Sequence, residues 1–293
     1  MSDTPAPALA DDDVAIDVEG VQRTAQGVAV IGRVAEAGAR AASLIGRRVL
    51  AGPIDPCGEC EVCRRGGAAV CPGARPRGEP IADRVTAAAR WLVPLDDGLD
   101  LPSPAGAAAA GDAAVAYTLY ARTGLGPREP VVIVGASPIA RFLVEILRAK
   151  GASPVVVVDP AHAAWAAWVA ARGAAVALAG AAATDAEVRA AVAEALAAQG
   201  AGARPWRVLA ASPEAAARAA ALAGPRATLT LLAPVPDLPG DLVAREVTVI
   251  GVAGAHPDLV VEVAAMCVKG ELDLAGGTAA EADDLMRAVV VDR

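Results

Sequence analysis

The sequence predicts an α/β chain in two parts. A β-rich N-terminal part carries a loop clipped by cysteines, and a doubly wound parallel sheet follows it. Three observations predict this. Cys57, Cys60, Cys63 and Cys71 all fall between Pro56 and Pro72, in PCGECEVCRRGGAAVCP. Before that loop, short runs alternate apolar and polar residues with the period of a strand. From Pro130 onward, apolar runs of strand length alternate with stretches of helical spacing.

Residues 1–12 read as disordered, and Asp13 to Glu19 as a half-buried strand. Val18-Glu19-Gly20-Val21-Gln22 connects it to Gly27–Val34, a second strand with Gly32 at a bend or close contact. Gly46–Ala51 is a third and leads into the cysteine loop. Ile81–Val93 suits either a strand or a helix, and DDGLDLPSP after Pro94 is turn-rich. The alanine-rich stretch 105–123 is helical by propensity.

The period changes at Glu129. Pro130–Gly135 is a continuous apolar run ended by glycine, as in a central parallel strand. Ile139–Lys150 has helical spacing, with Pro138 suited to its first turn and Gly151 to its end. Ser153–Asp159 is a second buried strand ending in an acid. Further alternation places helices at Ala161–Arg172, Asp185–Gln199, Pro213–Ala223 and His256–Lys269. Strands fall at Ala174–Leu178, Trp206–Ala210, Ala227–Leu232 and Glu246–Gly251. Such alternation builds a parallel sheet with helices on both faces.

Composition narrows the function. The chain has 293 residues, 55% hydrophobic but only 2% aromatic, so a sizeable core rests mainly on alanine and aliphatic side chains. A net charge of −8 with interspersed signs gives no footprint for nucleic acid. The acidic start, MSDTPAPALADDD, has no apolar region of the signal-peptide kind. No apolar run is long and charge-free enough to span a membrane. Clustered cysteines without secretion signals fit a reducing cytoplasm.

The cysteine spacing is C-x2-C-x2-C-x7-C. Four thiolates on one loop can close a tetrahedron around Zn²⁺, leaving no open position for substrate, so the expected role is structural. Cys267 reads as a core residue. His162 and His256 have no nearby ligand-type partners and read as surface or helix-start residues. Trp165 and Trp168, one turn apart, read as packing residues, and Arg64-Arg65 as a solvated loop.

A cysteine lobe after β-rich sequence, followed by a dinucleotide-type βαβ unit, resembles the zinc-containing alcohol dehydrogenases of the medium-chain dehydrogenase/reductase superfamily. The resemblance runs from about Val14 to Val291. Leu44–Val49, Gly111–Val115 and Pro205–Arg207 are also similar to cyclohexenyl-carbonyl-CoA dehydrogenases. The resemblance implies a GroES-like domain over 1–105 with its zinc lobe at 56–72. It further implies a Rossmann NAD-binding domain over 106–270 and a C-terminal return to the first domain over 271–293.

The family's functional positions are only partly kept. Its catalytic-zinc histidine lies in G-H-E-x-x-G, and the matching segment is Gly27-Val28-Ala29-Val30-Ile31-Gly32, with neither a histidine nor a glutamate. The stretch that would carry the catalytic cysteine is missing between Gln22 and Gly27. The third ligand falls near Asp112, which could serve, but one ligand cannot hold a catalytic zinc. The resemblance therefore implies no catalytic residues. The cofactor motif reads Gly135-Ala136-Ser137-Pro138-Ile139-Ala140. Gly135 keeps the tight turn and Ala140 the helix–strand contact. Ser137 replaces the glycine that admits the pyrophosphate: its side chain either crowds the phosphate or bonds it. Asp159 stands where the ribose-binding acid belongs, which favours NAD over NADP.

The expectation is a dehydrogenase homologue with structural Zn²⁺ and no catalytic zinc, acting as a non-catalytic or regulatory subunit. The alternatives are an NAD(H)-dependent dehydrogenase or reductase of a cyclic alcohol or acyl-CoA without catalytic zinc, and a dimerising scaffold or nucleotide sensor. NAD(H) binding stays open. A homodimer or homotetramer is expected through the edge strand Val247–Val252, with an active paralogue as a candidate partner.

Overall fold

The structure is a computed structural model describing residues 9–81, 83–96, 98–125, 129–159, 162–180, 182–200, 207–235, 239–272 and 290–292. The expected disorder of residues 1–12 lies largely outside these. So do the starts of the helix at Ala161 and the strand at Trp206, and most of the return over 271–293.

The N-terminal part is built on one long antiparallel hairpin, β1 (Asp13–Thr24) with β2 (Gly27–Ala37). The sequence reading ended the first strand at Glu19. The chain instead shifts register between Val18 and Gly20 and stays paired to Thr24↔Gly27, leaving Ala25 and Gln26 as the tip. A bulge of this kind lets a strand run on past a break in its alternation.

β3 (Arg48–Ala51) pairs with β2. β4 (Ile54–Asp55) enters the cysteine loop, which holds the single turn α1 (Glu61–Arg64), and β5 (Arg75–Pro76) leaves it paired to β4. The ambiguous stretch 81–93 resolves into β6 (Arg84–Ala88), paired to β1, and β7 (Leu92–Pro94), paired to β3.

The alanine-rich helix is two helices, α2 (Ser103–Ala110) and α3 (Asp112–Thr123). The break is at Gly111, with φ −104° and ψ −120°. A Cβ there would lie 2.0 Å from Gln22 Oε1, so the chain turns where only glycine leaves room for that side chain.

The second part runs β8 (Val131–Val134), α4 (Pro138–Ala149), β9 (Val155–Val158), α5 (Ala163–Ala171), β10 (Ala175–Leu178) and α6 (Asp185–Ala198). It continues with β11 (Arg207–Ala210), α7 (Ala216–Leu222), β12 (Thr228–Leu231), β13 (Thr248–Gly251) and α8 (Pro257–Val268). Its six strands are all parallel, in the order β10-β9-β8-β11-β12-β13. By position along the chain this is 3-2-1-4-5-6, the doubly wound order with its switch between β8 and β11. Alternate residues of β8 face opposite layers. Val131 and Ile133 join α3, α4, α5 and α8; Val132 and Val134 join α6 and α7. The last described strand, β14 (Val290–Asp292), pairs with β1 of the first part.

The two parts share a core. Ala29, Ile31 and Leu50 belong to the same buried cluster as α2 and α8, whereas Val28 and Val30 turn into the first part's own core. Trp165 and Trp168 are buried and stacked, with centroids 5.1 Å apart. Cys267 packs against the shared core but is only partly buried, and burial pushes its thiol up to about 12.

Candidate functional site

The four lobe cysteines converge. Cys57 and Cys71 sulfurs are 3.4 Å apart, Cys60 and Cys71 sulfurs 3.9 Å, and all four lie within 4.8 Å of one another. A tetrahedron of Zn–S bonds near 2.3 Å has edges of about 3.8 Å, so the donor set fits zinc. These separations are far beyond a disulfide bond of about 2 Å. Among the described residues this is the one group of three or more His, Cys, Asp or Glu side chains that could hold a metal ion.

Local backbone prepares the thiolates. Cys60 caps α1 and accepts from Cys63 N–H at 3.4 Å, and Cys71 accepts from Cys57 N–H at 3.4 Å. Backbone N–H groups of Glu59 and Cys60 lower the Cys57 thiol to about 6. Desolvation raises Cys63 to about 12, so a metal entering the site displaces a proton there.

The lobe is tied down at its rim. Trp91 Nε1 and Arg90 Nη2 donate to the carbonyls of Pro56 and Cys57, each at 2.7 Å. From the second part, His256 Nε2 meets the Gly66 carbonyl. Sequence reading placed His256 at a helix start, and it does precede α8; its contact with the lobe was not legible. His162 likewise precedes α5, and Arg65 pairs with Glu61 on the lobe surface.

At the carboxyl edge of the parallel sheet, Gly135 ends β8 with φ +106°. A Cβ there would lie 2.9 Å from Ala215 Cβ and 3.0 Å from Ser212 Oγ, so a side chain is excluded by the turn after β11. Asp159, half-buried, follows β9 as expected. Ser137 neither crowds the turn nor points free. It is the N-cap of α4: its Oγ accepts from Ala140 N–H at 3.1 Å and donates to the Ala211 carbonyl at 2.6 Å. Pro138 has no N–H. Of the first three N–H positions of α4, only that of Ile139 is left for an anion.

Between the two parts, a cavity of about 220 Å³ lies among Val93, Leu95, Leu99, Val261, Ala264 and Val268. A void of about 10 Å³ lies among Leu50, Gly52, Trp91, Ala255, Pro257 and Val260.

Residues 10–97 match the alcohol dehydrogenase GroES-like domain. The N-terminal part is a GroES-like domain. The whole chain shares its fold with solved dehydrogenase structures. It superposes on galactitol-1-phosphate dehydrogenase from Escherichia coli with a TM-score of 0.77 at 18% identity, over 94% of this chain and 87% of that one. It matches alcohol dehydrogenase TADH from Thermus sp. ATN1 with 0.76 at 18%, over 93% and 86%. A short chain alcohol dehydrogenase from E. coli CFT073, complexed with NADH, gives 0.76 at 15%, over 92% and 84%.

Within the GroES-like domain, Val28 is buried among β-sheet side chains on the face away from α2. Ala29 faces the shared core and pairs in register with Gln22. Gln22, read from the sequence only as the end of a connecting segment, is fully buried and closes on Asp112 from both ends. Its Nε2 donates to Asp112 Oδ2 at 3.1 Å, and its Oε1 accepts from Asp112 N–H at 2.9 Å. Burial raises the Asp112 carboxyl to about 6. Asp112 therefore faces an amide, and among the described residues it belongs to no group of three or more ligand-type side chains that could hold a metal ion.

Proposed function

We propose that this chain is a non-catalytic member of the zinc alcohol dehydrogenase fold: it holds one structural zinc, lacks the catalytic one, and serves as a regulatory or scaffolding subunit. The observation that carries the reading is the hairpin. The segment matching the catalytic-zinc motif is a continuous strand, with Val28 turned into the domain's own core and Ala29 against Gln22. A histidine at 28 would point the same way as Val28, because strand side chains alternate. Cys57, Cys60, Cys63 and Cys71 would hold the structural ion, which would supply a fold-closing link and no reactive position.

Metal analysis tests this. The expected content is about one zinc per chain, lost in Cys60→Ser, with no zinc-dependent alcohol oxidation by the isolated protein. About two tightly held zincs, or such turnover, overturns the reading. Val28→His is expected to leave the zinc content unchanged.

A second reading, an NAD(H)-dependent reductase without metal, is favoured by the strand order, by Gly135 and by Asp159. These fit the adenosine half of a dinucleotide, which would supply a hydride when bound. Oxidation of NADH by a cyclic ketone or enoyl thioester would decide for it.

The partner reading rests on β13. This strand pairs only with β12 among the described residues, and Val249 on it is 41% exposed. An open parallel edge favours pairing with a second copy or with a paralogue. Light scattering at micromolar concentration is expected to give at least a dimer. The free thiols suit a reducing compartment such as the cytoplasm.

A further inference from the structure

The tip of the β1–β2 hairpin reaches across to the parallel sheet. Gln26 lies on Gly254, three residues past the end of β13. A Cβ built on Gly254 would fall 1.9 Å from Gln26 Oε1 and 2.2 Å from its Nε2, so the carboxamide rests on the bare backbone of that loop. Gln26 Oε1 is closed off from solvent and has no hydrogen-bond partner among the described residues. An unpaired buried carbonyl is costly and calls for an explanation.

Position supplies one. All six strands run parallel, so Gly135, Asp159 and the loop after β13 lie along one carboxyl edge. In this strand order a dinucleotide lies across that edge, one half over β8–β10 and the other over β11–β13. Gly135 and Asp159 serve the first half. The second half is where Gln26 sits, and the group it brings is a primary carboxamide, the same group that a nicotinamide ring carries.

We propose that the hairpin tip is a tethered, displaceable occupant of the second half of the nucleotide crevice. A dinucleotide binds there by lifting Gln26 off Gly254. The unpaired Oε1 makes the tip a weak occupant, which a ligand with properly bonded groups can replace. The consequence is a conformational response: nucleotide binding frees the tip of the hairpin, only a few residues from Gln22 and Val28.

The inference rests on the sheet being a dinucleotide scaffold, so the test separates the two. Affinities for NADH and for AMP are measured by calorimetry on the full chain and on Gln26→Ala. AMP probes the half that Gln26 does not touch. NADH is expected to bind Gln26→Ala about tenfold more tightly, because no carboxamide has to be displaced, while AMP binds both proteins equally. An NADH affinity indifferent to Gln26, or an equal gain for AMP, overturns the plug and leaves the scaffold. AMP and NADH both failing to bind either protein overturns both. Should Gln26→Ala not fold, Gly254→Ala reaches the same point, since its methyl group evicts the flexible end of Gln26. Faster hydrogen exchange at the Gln26 and Gly27 amides is then expected, and unchanged exchange overturns the contact.

Discussion

In the cysteine lobe, four thiols converge on an interior with almost no core, and α1 buries none of its residues. Along the carboxyl edge of the parallel sheet, a large core lies beneath, and the chain covers its own groups there: Ser137 caps the α4 N-terminus and Gln26 lies on Gly254. The lobe is incomplete without a ligand, and the edge is nearly complete without one. Removing a ligand should therefore damage the lobe and leave the sheet intact.

The largest expected effect follows from that contrast. Cys60→Ser removes one of the four thiol ligands while leaving a hydroxyl that can still cap α1, and chelation of the wild-type protein removes the ion itself. Zinc should fall from about one per chain to none, with protease cleavage appearing between Pro56 and Pro72. The parallel sheet should keep its circular dichroism. If the sheet melts with the lobe, the two regions are one cooperative unit coupled through His256 and Gly66.

Beneath the lobe, one polar residue substitutes for a core. Arg77 is buried and donates to Asp55 at 2.8 Å, to the Gly52 carbonyl at 3.0 Å and to the Thr86 carbonyl at 2.8 Å. Arg77→Ala strands the Asp55 charge and should cost about 3–5 kcal/mol, read by urea denaturation. A loss under about 1 kcal/mol would show that water replaces the guanidinium and that the lobe's base is loosely held.

At the junction the sign reverses. Asp112 has a folded pKa of about 6, raised by burial from 3.8. Between those values the folded state holds a proton that the unfolded chain has released. Stability from this group is therefore present at low pH and lost as pH rises through 6. Asp112→Asn keeps an acceptor for Gln22 Nε2 and drops the buried charge. It should gain about 2 kcal/mol near neutral pH, with roughly half of the gain gone by about pH 5. A loss at neutral pH would mean that the carboxylate is held by more than the amide.

Legibility in the sequence follows the same division. The lobe was readable because metal ligation fixes residue type and spacing together. The parallel sheet was readable because runs such as Val155–Val158 have no other use than a strand buried on both faces. Gln22 and Gln26 were not readable. Their roles depend on a register shift at Val18/Gly20 that carries β1 on to Thr24, and a break in alternation looks the same as a loop. Nor does the alanine-rich run announce its break, since Gly111 is required by the side chain of Gln22, which lies far back in β1.

Ser137 gives the smallest effect and the finest distinction. Its hydroxyl caps α4 through Ala140 N–H, and its donation to Ala211 ties the α4 start to the end of β11 across the sheet's switch point. Ser137→Ala should cost about 1 kcal/mol, as loss of an N-cap does, and Ser137→Gly only a few tenths. The two variants separate in binding. Both return the Ala140 N–H to the helix terminus, but only glycine also removes the Cβ beside an incoming pyrophosphate. NADH, followed by calorimetry, should therefore bind most tightly to Ser137→Gly, then to Ser137→Ala, then to the wild type. Equal tightening in both would mean that the cap alone withheld the N–H. Weaker binding in both would mean that the hydroxyl turns from Ala211 to the phosphate when nucleotide arrives. AMP, with one phosphate, should show the same order with smaller steps, because less of it reaches the α4 terminus.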